Sequence, residues 1–382
     1  MNSENPLKIG IACYPLVGGS GILASALGME LAARGHEVHF FSYAKPVRLD
    51  TSLPRIHFHA VAVSKYKLFE YADYTLPLAV KIAEVADQVH LDIIHAHYAV
   101  PHATAAYIAK RMAKQDRLRI VTTLHGTDTT LLGRDPNYRR AIEYSLQHSD
   151  RVTTVSDSLR RDTEEIFDVG KPVEVIHNFY TPGQATSTRE RMRKDLELGD
   201  CFTLFHASNL RSVKRIDLLL ESVARCKFRS RLKLIVLAGN SFEEFEGKVR
   251  ELGLESTVIV RQNGYPVEDY IEASDLGIYT SETESFCLSI LEGMFLGKAS
   301  LAFRVGGIPE VMEEGVSGLL CDFGNCDEMA ARIDELVEDP ARARALGLAA
   351  KERAVERFTA EKIVPKYLAC YEQALLEGAP VA

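Results

Sequence analysis

The chain has 382 residues, of which 46% are hydrophobic and 26% charged, so it is long enough for two ordinary domains and has the balance of a globular protein rather than a disordered one. The formal net charge of −8 argues against nucleic acid as a partner, because nucleic-acid-binding domains usually present a basic face. Seven cysteines without a C-x-x-C pair, and the lack of an apolar segment of about 18 residues, predict a cytoplasmic protein with reduced thiols and no membrane contact.

The first half alternates strand and helix patterns. A β-rich apolar run at 7–13 leads into Gly18-Gly19-Ser20-Gly21, and apolar residues then recur at helical spacing until Gly35. Further strands are predicted at 38–41, 91–95, 120–124 and 151–155, with helices over 76–89 and 103–113.

A polar stretch at 181–200 interrupts this alternation, and we interpret it as the region between two domains, 1–180 and 181–357. Strands are then predicted at 202–205, 232–238, 258–260 and 276–279. A last helix at about 358–382 is expected to pack back on the first domain. The chain is therefore predicted to be an α/β protein with two Rossmann-like domains, which bind ligands at the carboxyl ends of parallel strands.

Two features of the first half are candidates for ligand binding. Gly18 and Gly19 open a helix directly after a strand, where free N–H groups favour an anion, although an ordinary tight turn has the same pattern. His95 and His97 share one face of a strand, as metal ligands would. No carboxylate or cysteine of ligand spacing accompanies them, so we favour strand-end histidines that face a ligand, and rank His125, before a glycine, highest among them.

In the second half, Arg211, Lys214 and Arg215 fall in the loop that follows the first strand. Arginine offers a planar fork and lysine a point charge, and both suit a diphosphate. The alternative is a solvated helix start. Because cations are unfavourable at a helix N-terminus, an anionic ligand is the better explanation.

The segment 281–293 is the most informative one. A strand ends in a polar turn that contains Glu284, and a helix is predicted to start near Phe286 and to carry Glu292 about two turns later. The N–H groups of Phe286, Cys287 and Leu288 would be available to a phosphate, and the two carboxylates to sugar and ribose hydroxyls. The alternative is that the acidic residues only stabilise the helix end.

Taken together, Glu284-x7-Glu292, Gly306-Gly307-Ile308-Pro309-Glu310 and Ser317-Gly318-Leu319-Leu320 resemble the retaining glycosyltransferases of family 4. These have the GT-B fold, in which two Rossmann-like domains face each other across a cleft. The resemblance covers nearly the whole chain, and it implies an N-terminal acceptor-binding domain and a C-terminal domain for the nucleotide sugar.

The N-terminal segments Cys13-Tyr14-Pro15, 18–21, 91–98 and 122–128 are similar to one branch of this family. Its members transfer N-acetylglucosamine from UDP-N-acetylglucosamine to the hydroxyl of L-malate, the first step of bacillithiol biosynthesis. The resemblance implies that no cofactor and no metal are needed. It leaves open a homo-oligomer, and it predicts the small-molecule substrates as the partners.

The same resemblance implies roles for individual residues. Four would act in catalysis: His125 beside the transferred sugar, Arg211 and Lys214 at the diphosphate, and Glu284 at the sugar hydroxyls. The donor would also contact Gly18, Gly19, Asn209, Phe286, Cys287, Leu288 and Glu292. For the acceptor we predict contacts from Ser20, Tyr98, Thr123 and Arg151.

This chain departs from the family pattern at two places. Many relatives have Gly-Arg where it has Ser208-Asn209, so Arg211 is predicted to replace the diphosphate arginine, and Cys287 stands where a glycine is usual. Three alternatives stay open: a family 4 enzyme with another acceptor (inositol phosphate, a glycan or a lipid), a UDP-N-acetylglucosamine 2-epimerase, and a nicotinamide oxidoreductase or nucleotide-binding module. The last lacks support because neither half supplies G-x-G-x-x-G with an acidic residue about 20 positions on.

Overall fold

The computed structural model describes residues 6–15, 18–63, 72–262, 264 and 266–377. Contacts between residues divide the chain into two compact units. Unit 1 consists of Met1–Phe179 and Ala360–Ala382, and unit 2 of Tyr180–Thr359. The acceptor-binding and donor-binding roles of the two domains stay predictions.

Unit 1 is built on a seven-stranded parallel sheet with the order β3-β2-β1-β4-β5-β6-β7. Its strands are β1 (Lys8–Ala12), β2 (Glu37–Ser42), β3 (Ile56–Ala60), β4 (Ile93–His97), β5 (Arg119–Leu124), β6 (Arg151–Thr154) and β7 (Val173–Val175). Its first helices are α1 (Gly19–Ala33), α2 (Thr75–Val89), α3 (Thr104–Met112), α4 (Pro136–Gln147) and α5 (Asp157–Ile166). The central strands are buried because parallel crossovers place helices on both faces of the sheet.

Unit 2 has a six-stranded parallel sheet with the order β10-β9-β8-β11-β12-β13. The strands are β8 (Phe202–Ser208), β9 (Leu232–Ala238), β10 (Val258–Gln262), β11 (Leu276–Tyr279), β12 (Ala299–Phe303) and β13 (Leu319–Cys321). The helices are α6 (Arg189–Asp195), α7 (Ile216–Ala224), α8 (Glu243–Glu251), α9 (Val267–Ala273), α10 (Leu288–Phe295), α11 (Ile308–Val311), α12 (Cys326–Glu338) and α13 (Pro340–Arg357).

The last helix, α14 (Ala360–Glu377), packs into the core of unit 1. Tyr367 and Tyr371 are fully buried there beside Ile9 and Leu27. The hydroxyl of Tyr371 lies 2.8 Å from Nδ1 of His95, so this helix also helps to hold a strand-end histidine. Among the described residues, no helix combines the length and the apolar character that a bilayer span requires.

The observed elements differ from the predicted ones at several places, among them the following. The edge strands β3 and β7 are not predicted, because His57 and His59 interrupt the first and the second has only three residues. The polar stretch 181–200 contains α6, whose Arg189 pairs with Asp275 of unit 2. The helix expected near Phe286 begins at Leu288, after Cys287 in a left-handed backbone conformation.

Candidate active site

In unit 2 the predicted donor residues gather at the carboxyl ends of β8 and β11. The end of β11 holds the loop after β8 in place: the Thr280 hydroxyl donates to the carbonyls of Lys214 (3.1 Å) and Arg215 (3.0 Å), and the Glu282 amide donates to the carbonyl of Val213 (2.8 Å). The cationic loop and the acidic turn are therefore fixed to each other by hydrogen bonds from the Thr280 side chain and the Glu282 amide.

Lys214 and Glu284 form an ion pair at the centre of this group. Their side chains are only 17% and 11% exposed, and the hydroxyl of Ser281 donates to Oε1 of Glu284 at 2.9 Å. Burial by itself would lower the pKa of Lys214, but the carboxylate of Glu284 outweighs burial and leaves that pKa raised. The lysine is thus a permanently charged, oriented ammonium group.

A glycine turn contacts the backbone of Glu284. The amide of Gly307 donates to the carbonyl of Glu284 at 2.9 Å. Gly306 has φ +50°, and a Cβ at this position would lie 1.9 Å from the same carbonyl oxygen. Only glycine satisfies both the backbone conformation and the close contact, so the Gly306-Gly307 turn sets the position of the Glu284 backbone.

Cys287 is the N-terminal cap of α10 and has φ 70° and ψ 76°. Glycine is the residue that adopts this left-handed conformation most easily, which explains why a glycine is usual here. No side chain caps the helix, so its positive dipole end favours an anion. Leu288 is the first residue of the helix, whereas Phe286 is buried against Phe358.

Glu292 lies in α10 and is 6% exposed. The helix is fixed to the sheet through Ser289: its carbonyl accepts from the hydroxyl of Tyr279 (3.0 Å), and its own hydroxyl donates to the carbonyl of Ala207 (3.2 Å). Glu292 is therefore a buried acidic residue on a helix whose position is fixed, and its contact with the ribose stays a prediction.

The three predicted cations have different surroundings. Arg215 forms ion pairs with Asp217 (2.7 Å) and Glu282 (3.8 Å), so its charge is already matched. Arg211 is exposed at the start of the same turn, and its charge disfavours the protonation of Lys214 nearby. Arg211 is therefore the more exposed cation beside Lys214, and the predicted contact of these two residues with a diphosphate stays a prediction.

The structure also gives Ser208 and Asn209 separate roles. Nδ1 of His206 lies 2.8 Å from the carbonyl of Ile278 and must donate to it, so Nε2 accepts from the hydroxyl of Ser208 at 2.9 Å. Within the described part of the chain, the buried Oδ1 of Asn209 has no hydrogen-bond donor, and a Cβ added at Gly239 would lie 3.2 Å from the Cα of Asn209. Asn209 thus keeps a buried oxygen that could accept a hydrogen bond from a ligand.

In unit 1, strand-end histidines form one buried network. Nδ1 of His97 lies 2.9 Å from Nε2 of His125, and Nε2 of His95 lies 2.7 Å from the hydroxyl of Thr123. Burial lowers the pKa of both His95 and His125 to about 3, so these imidazoles are neutral at pH 7. They can exchange hydrogen bonds but do not supply positive charge.

The hydroxyl of Thr123 is an interior group. It is fully buried and lies 2.7 Å from the hydroxyl of Thr153 as well as from His95. The carbonyl of Thr123 accepts from the Tyr98 amide at 3.0 Å. Thr123 therefore positions Tyr98, a residue with φ 88°, rather than presenting its own hydroxyl.

Tyr98 lies beside the predicted His125 and beside Tyr14. Its ring centroid is 5.1 Å from that of His125 and 5.6 Å from that of Tyr14. Asp128 fixes the turn after His125, since its carboxylate accepts from the amides of Gly126 (3.0 Å) and Ala99 (3.3 Å). Burial raises the pKa of Asp128 to about 6. The sequence analysis does not single out Asp128 or Tyr14, although they lie within the segments 122–128 and Cys13-Tyr14-Pro15.

Gly18 caps α1 with an extended backbone and without a side-chain hydrogen bond at the cap, and the helix begins at Gly19. Ser20 lies in the first turn and is half-buried. Leu16 and Val17, just before them, lie outside the described residues. The helix start therefore offers N–H groups at the end of β1, as the glycine pattern predicts.

Arg151 occupies a different edge of the sheet. It is the first residue of β6, so it lies at the amino end of a strand, whereas His97 is the last residue of β4 and His125 follows β5. Its guanidinium pairs with Glu174 (3.3 Å) and Glu377 (3.0 Å) and donates to Gln373 (2.6 Å). This position does not support the predicted acceptor contact, and the partners give Arg151 a structural role in joining β6, β7 and α14.

Two family descriptions match the chain in series. Residues 17–183 match Glycosyltransferase Family 4, and residues 188–353 match Glycosyl transferases group 1. The N-acetyl-alpha-D-glucosaminyl L-malate synthase of Bacillus anthracis is 40% identical over 373 residues, which is 97% of this chain and 97% of that protein. The chain belongs to the family 4 glycosyltransferases.

More distant relatives and solved structures agree with this family. A D-inositol 3-phosphate glycosyltransferase of Nocardiopsis dassonvillei is 25% identical and covers 92% of this chain and 90% of its own length. Anabaena HepE in complex with UDP and glucose superposes with a TM-score of 0.83 at 21% identity, covering 96% of this chain and 99% of its own. WaaG, a glycosyltransferase involved in lipopolysaccharide biosynthesis, superposes with a TM-score of 0.75 at 15% identity. The match covers 95% of this chain and 99% of the WaaG chain. The predicted GT-B fold is confirmed.

Family membership decides between the classes of protein that the sequence left open. This glycosyltransferase is an enzyme, so the nucleotide-binding module and the nicotinamide oxidoreductase are excluded. The Glu284–Glu292 segment and the Gly306-Gly307 turn, which carried the resemblance, lie within the second matched region. Their contacts in unit 2 explain the spacing: the turn supports the first carboxylate and the helix carries the second.

Proposed function

We propose that this glycosyltransferase transfers N-acetylglucosamine from UDP-N-acetylglucosamine to the hydroxyl of L-malate and retains the α configuration, as the first step of bacillithiol biosynthesis. The observation that carries the proposal is the similarity to the B. anthracis malate synthase over nearly the full length of both chains. A likeness limited to the donor half would not favour one acceptor over another.

In this proposal unit 2 binds the donor. Lys214 and Arg211 hold the diphosphate together with the amino end of α10, and Glu284 and Glu292 accept hydrogen bonds from the sugar and the ribose. Asn209 offers its unmatched Oδ1. An ammonium group has three N–H donors, so Lys214 can keep Glu284 as one partner and add a phosphate oxygen as another.

The charge chemistry follows from the same residues. As the C1–O bond to UDP breaks, negative charge grows on the leaving diphosphate, and oriented cations stabilise it most where water is excluded. The side chain of the paired Lys214 is only 17% exposed, whereas Arg211 is exposed, so Lys214 should contribute more. These cations and the helix start take the place of a metal at the diphosphate.

We favour a front-face displacement, in which the malate hydroxyl attacks C1 from the side that UDP leaves and a phosphate oxygen of the donor takes the proton. A double displacement would need a free carboxylate nucleophile, but the Glu284 carboxylate is held by Lys214 and Ser281. His125 is a poor base at pH 7, because a pKa of about 3 makes its conjugate acid too strong. We assign it a hydrogen bond to the sugar.

On the acceptor side we propose contacts from Tyr98 and from Ser20 at the start of α1, with Thr123 positioning Tyr98. The N–H groups at this helix start favour an anionic group, and we keep Gly18 and Gly19 as donor contacts. This assignment leaves Arg151 out, for the reason given by its position.

The test is a UDP-release assay with UDP-N-acetylglucosamine and a panel of acceptors: L-malate, D-malate, inositol 3-phosphate and none. The proposal expects release with L-malate at a kcat/KM at least about 100-fold above the other acceptors. Release with inositol 3-phosphate alone would favour the function of the Nocardiopsis relative. Epimerised UDP-sugar without acceptor would identify an epimerase, and a trapped glycosyl-enzyme would overturn front-face displacement.

A further inference from the structure

A second polar cluster lies on strands β2 and β3 of unit 1, at the edge of the sheet. His39 and His57 are register partners on the two strands, and their ring centroids are 4.7 Å apart. Glu37 precedes His39 by two residues and therefore shares its face of the strand. These residues play no part in the proposed transfer reaction.

Their ligand atoms converge. Oε1 of Glu37 lies 3.2 Å from Nε2 of His39 and 3.6 Å from Nε2 of His57, and one ligand atom from each of the three residues lies within 4.8 Å of the others. Atoms bound about 2.0–2.1 Å from a tetrahedral zinc ion are about 3.3 Å apart. Among the residues that the structure describes, this is the one group of three His, Cys, Asp or Glu with such spacing.

His59 adds the partner that a metal-binding histidine usually has. Its Nε2 lies 2.9 Å from Nδ1 of His39, so a hydrogen bond there leaves Nε2 of His39 as the ligand atom. The side chain of His39 is only 3% exposed, whereas those of Glu37 and His57 are 32% and 47% exposed. An ion could therefore reach the cluster from solvent and bind an oriented inner ligand.

Hydrogen bonding alone does not account for His57. A chain from His59 through His39 to Glu37 needs no metal, but Nε2 of His57 stays 3.6 Å from the carboxylate, beyond hydrogen-bond distance.

The nearby cations have other partners. Lys8 is the register neighbour of Glu37 on β1, but its ammonium donates to the carbonyl of Val89 at 2.8 Å. Lys81 of α2 lies near His59 and disfavours its protonation, and it pairs with Glu84 at 2.6 Å. In the described residues, only histidines form ion pairs with Glu37.

We propose that Glu37, His39 and His57 bind one divalent zinc-class ion, with His59 orienting His39 and water completing the coordination. The ion would join the edge strand β3 to β2. Glu37 is the first residue of β2 and His57 the second of β3, so the site lies toward the amino ends of the strands, away from the strand ends assigned to the substrates. It is a structural site, and it does not depend on the identity of the acceptor.

The test is a titration of chelator-stripped full-length protein with Zn²⁺ in competition with a chromophoric chelator. We expect one ion per chain, and about 10–100-fold weaker binding in His57→Gln and Glu37→Gln. His148→Gln is the matched control, since it removes an exposed histidine outside the cluster, and it should bind like the wild type. His59→Phe, which removes the partner of His39, should weaken binding about 10-fold.

Two further readouts separate a site from a loss of folding. Metal-free His57→Gln should melt at the temperature of the metal-free wild type, and Zn²⁺ should raise the melting temperature of the wild type only. Co²⁺ should give a visible absorption band that His57→Gln lacks. Substoichiometric binding, or equal affinity in wild type, His57→Gln and Glu37→Gln, would overturn the proposal.

Discussion

The two units place opposite kinds of chemistry at the carboxyl ends of similar parallel sheets. Unit 2 gathers charged groups, with Lys214 paired to Glu284 beside the uncapped start of α10. Unit 1 gathers neutral groups, among them His97 and His125, which share a hydrogen bond between their ring nitrogens. The fold is shared, and the side chains at its strand ends decide what each unit can do.

Burial has opposite consequences in the two places. Lys214 keeps its charge because a carboxylate accompanies it into the protein, whereas His125 is buried among other imidazoles and loses its charge. A leaving diphosphate needs positive charge and a neutral sugar needs hydrogen bonds. The difference therefore matches the proposed division of donor chemistry and sugar or acceptor contacts.

Removing the charge of Lys214 from unit 2 should lower catalytic activity more than any other change proposed below. Lys214→Ala should lower kcat/KM for UDP-N-acetylglucosamine about 10³-fold, because a buried cation stabilises the leaving group and its loss leaves Glu284 unmatched. Steady-state UDP release measures this. Lys248→Ala, which removes a lysine paired with Glu221 on the surface, is the control, and a similar loss there would contradict a specific role for Lys214.

Substitutions at the neutral histidines of unit 1 should lower catalytic activity less than Lys214→Ala does. His125→Asn should lower kcat/KM about 10²-fold through the lost hydrogen bond to the sugar. Because the pKa of His125 is about 3, the wild-type kcat/KM should show no step from this group between pH 6 and 8. His95→Asn alters the same network without touching the sugar, and it should cost less than about 10-fold. A histidine-like step lost in His125→Asn would identify a proton-transfer role instead.

Gly306→Ala tests whether backbone contacts position the charged pair. We expect kcat/KM to fall about 10-fold, since the new Cβ forces Glu284 to move, and the free energy of unfolding to fall by about 2–4 kcal/mol. Gly315→Ala is the matched control: its φ is also positive (73°), but no heavy atom lies within 4 Å of the added Cβ. It should cost only about 1–2 kcal/mol and leave kcat/KM unchanged.

Low pH should destabilise unit 1 more than unit 2. In unit 1, burial lowers the pKa of His95, His97, His102 and His125, whereas in unit 2 the described histidine with a lowered pKa is His206. The unfolded chain takes up protons below pH 6.5 and these folded histidines do not, so stability falls as the pH drops toward the folded pKa values. Each of these histidines should lower the free energy of unfolding by about 1.4 kcal/mol at pH 5.5. Asp128 acts in the opposite direction, because its raised folded pKa of about 6 gives stability that is lost as the pH rises through 6.

Hydrogen exchange of the full chain at pH 8 and pH 5.5, corrected for the intrinsic exchange rates, measures this difference. Peptides from β4 and β5 should lose more protection at pH 5.5 than peptides from β8 and β11. Equal losses in the two units would show that the buried histidines of unit 1 do not control its stability.

The smallest effect is expected from Arg151→Ala. The KM for malate should change less than about 2-fold, whereas the melting temperature should fall slightly because the pairs with Glu174 and Glu377 are worth about 1 kcal/mol together. A large rise in the malate KM at an unchanged melting temperature would restore the acceptor role that the sequence predicts for Arg151.

Much of the fold and of the donor site follows from local sequence. The runs at 232–238 and 276–279 coincide with β9 and β11, because a strand buried on both faces is a short continuous apolar segment. The residues around Lys214 and Glu284 were predictable for a similar reason. Their loops directly follow such strands, and carboxyl ends of parallel strands meet at one edge of a sheet.

Other features depend on contacts between distant residues. The left-handed conformation of Cys287, the interior position of Thr123 and the charge state of His125 all arise from surrounding atoms that no local pattern specifies. Arg151 is the clearest case: a cation before a strand is visible in the sequence, but only the sheet shows that it faces the amino ends and pairs with α14.

The sequence by itself thus determined the two α/β domains, the family and the candidate donor residues, since these depend on periodicity and on motifs within a few residues. Tertiary structure decided which polar groups are buried, which are paired and which share a face. His39 and His57 show the reason: they are far apart in sequence and become neighbours only through the register of β2 and β3, which is set by packing across the whole sheet.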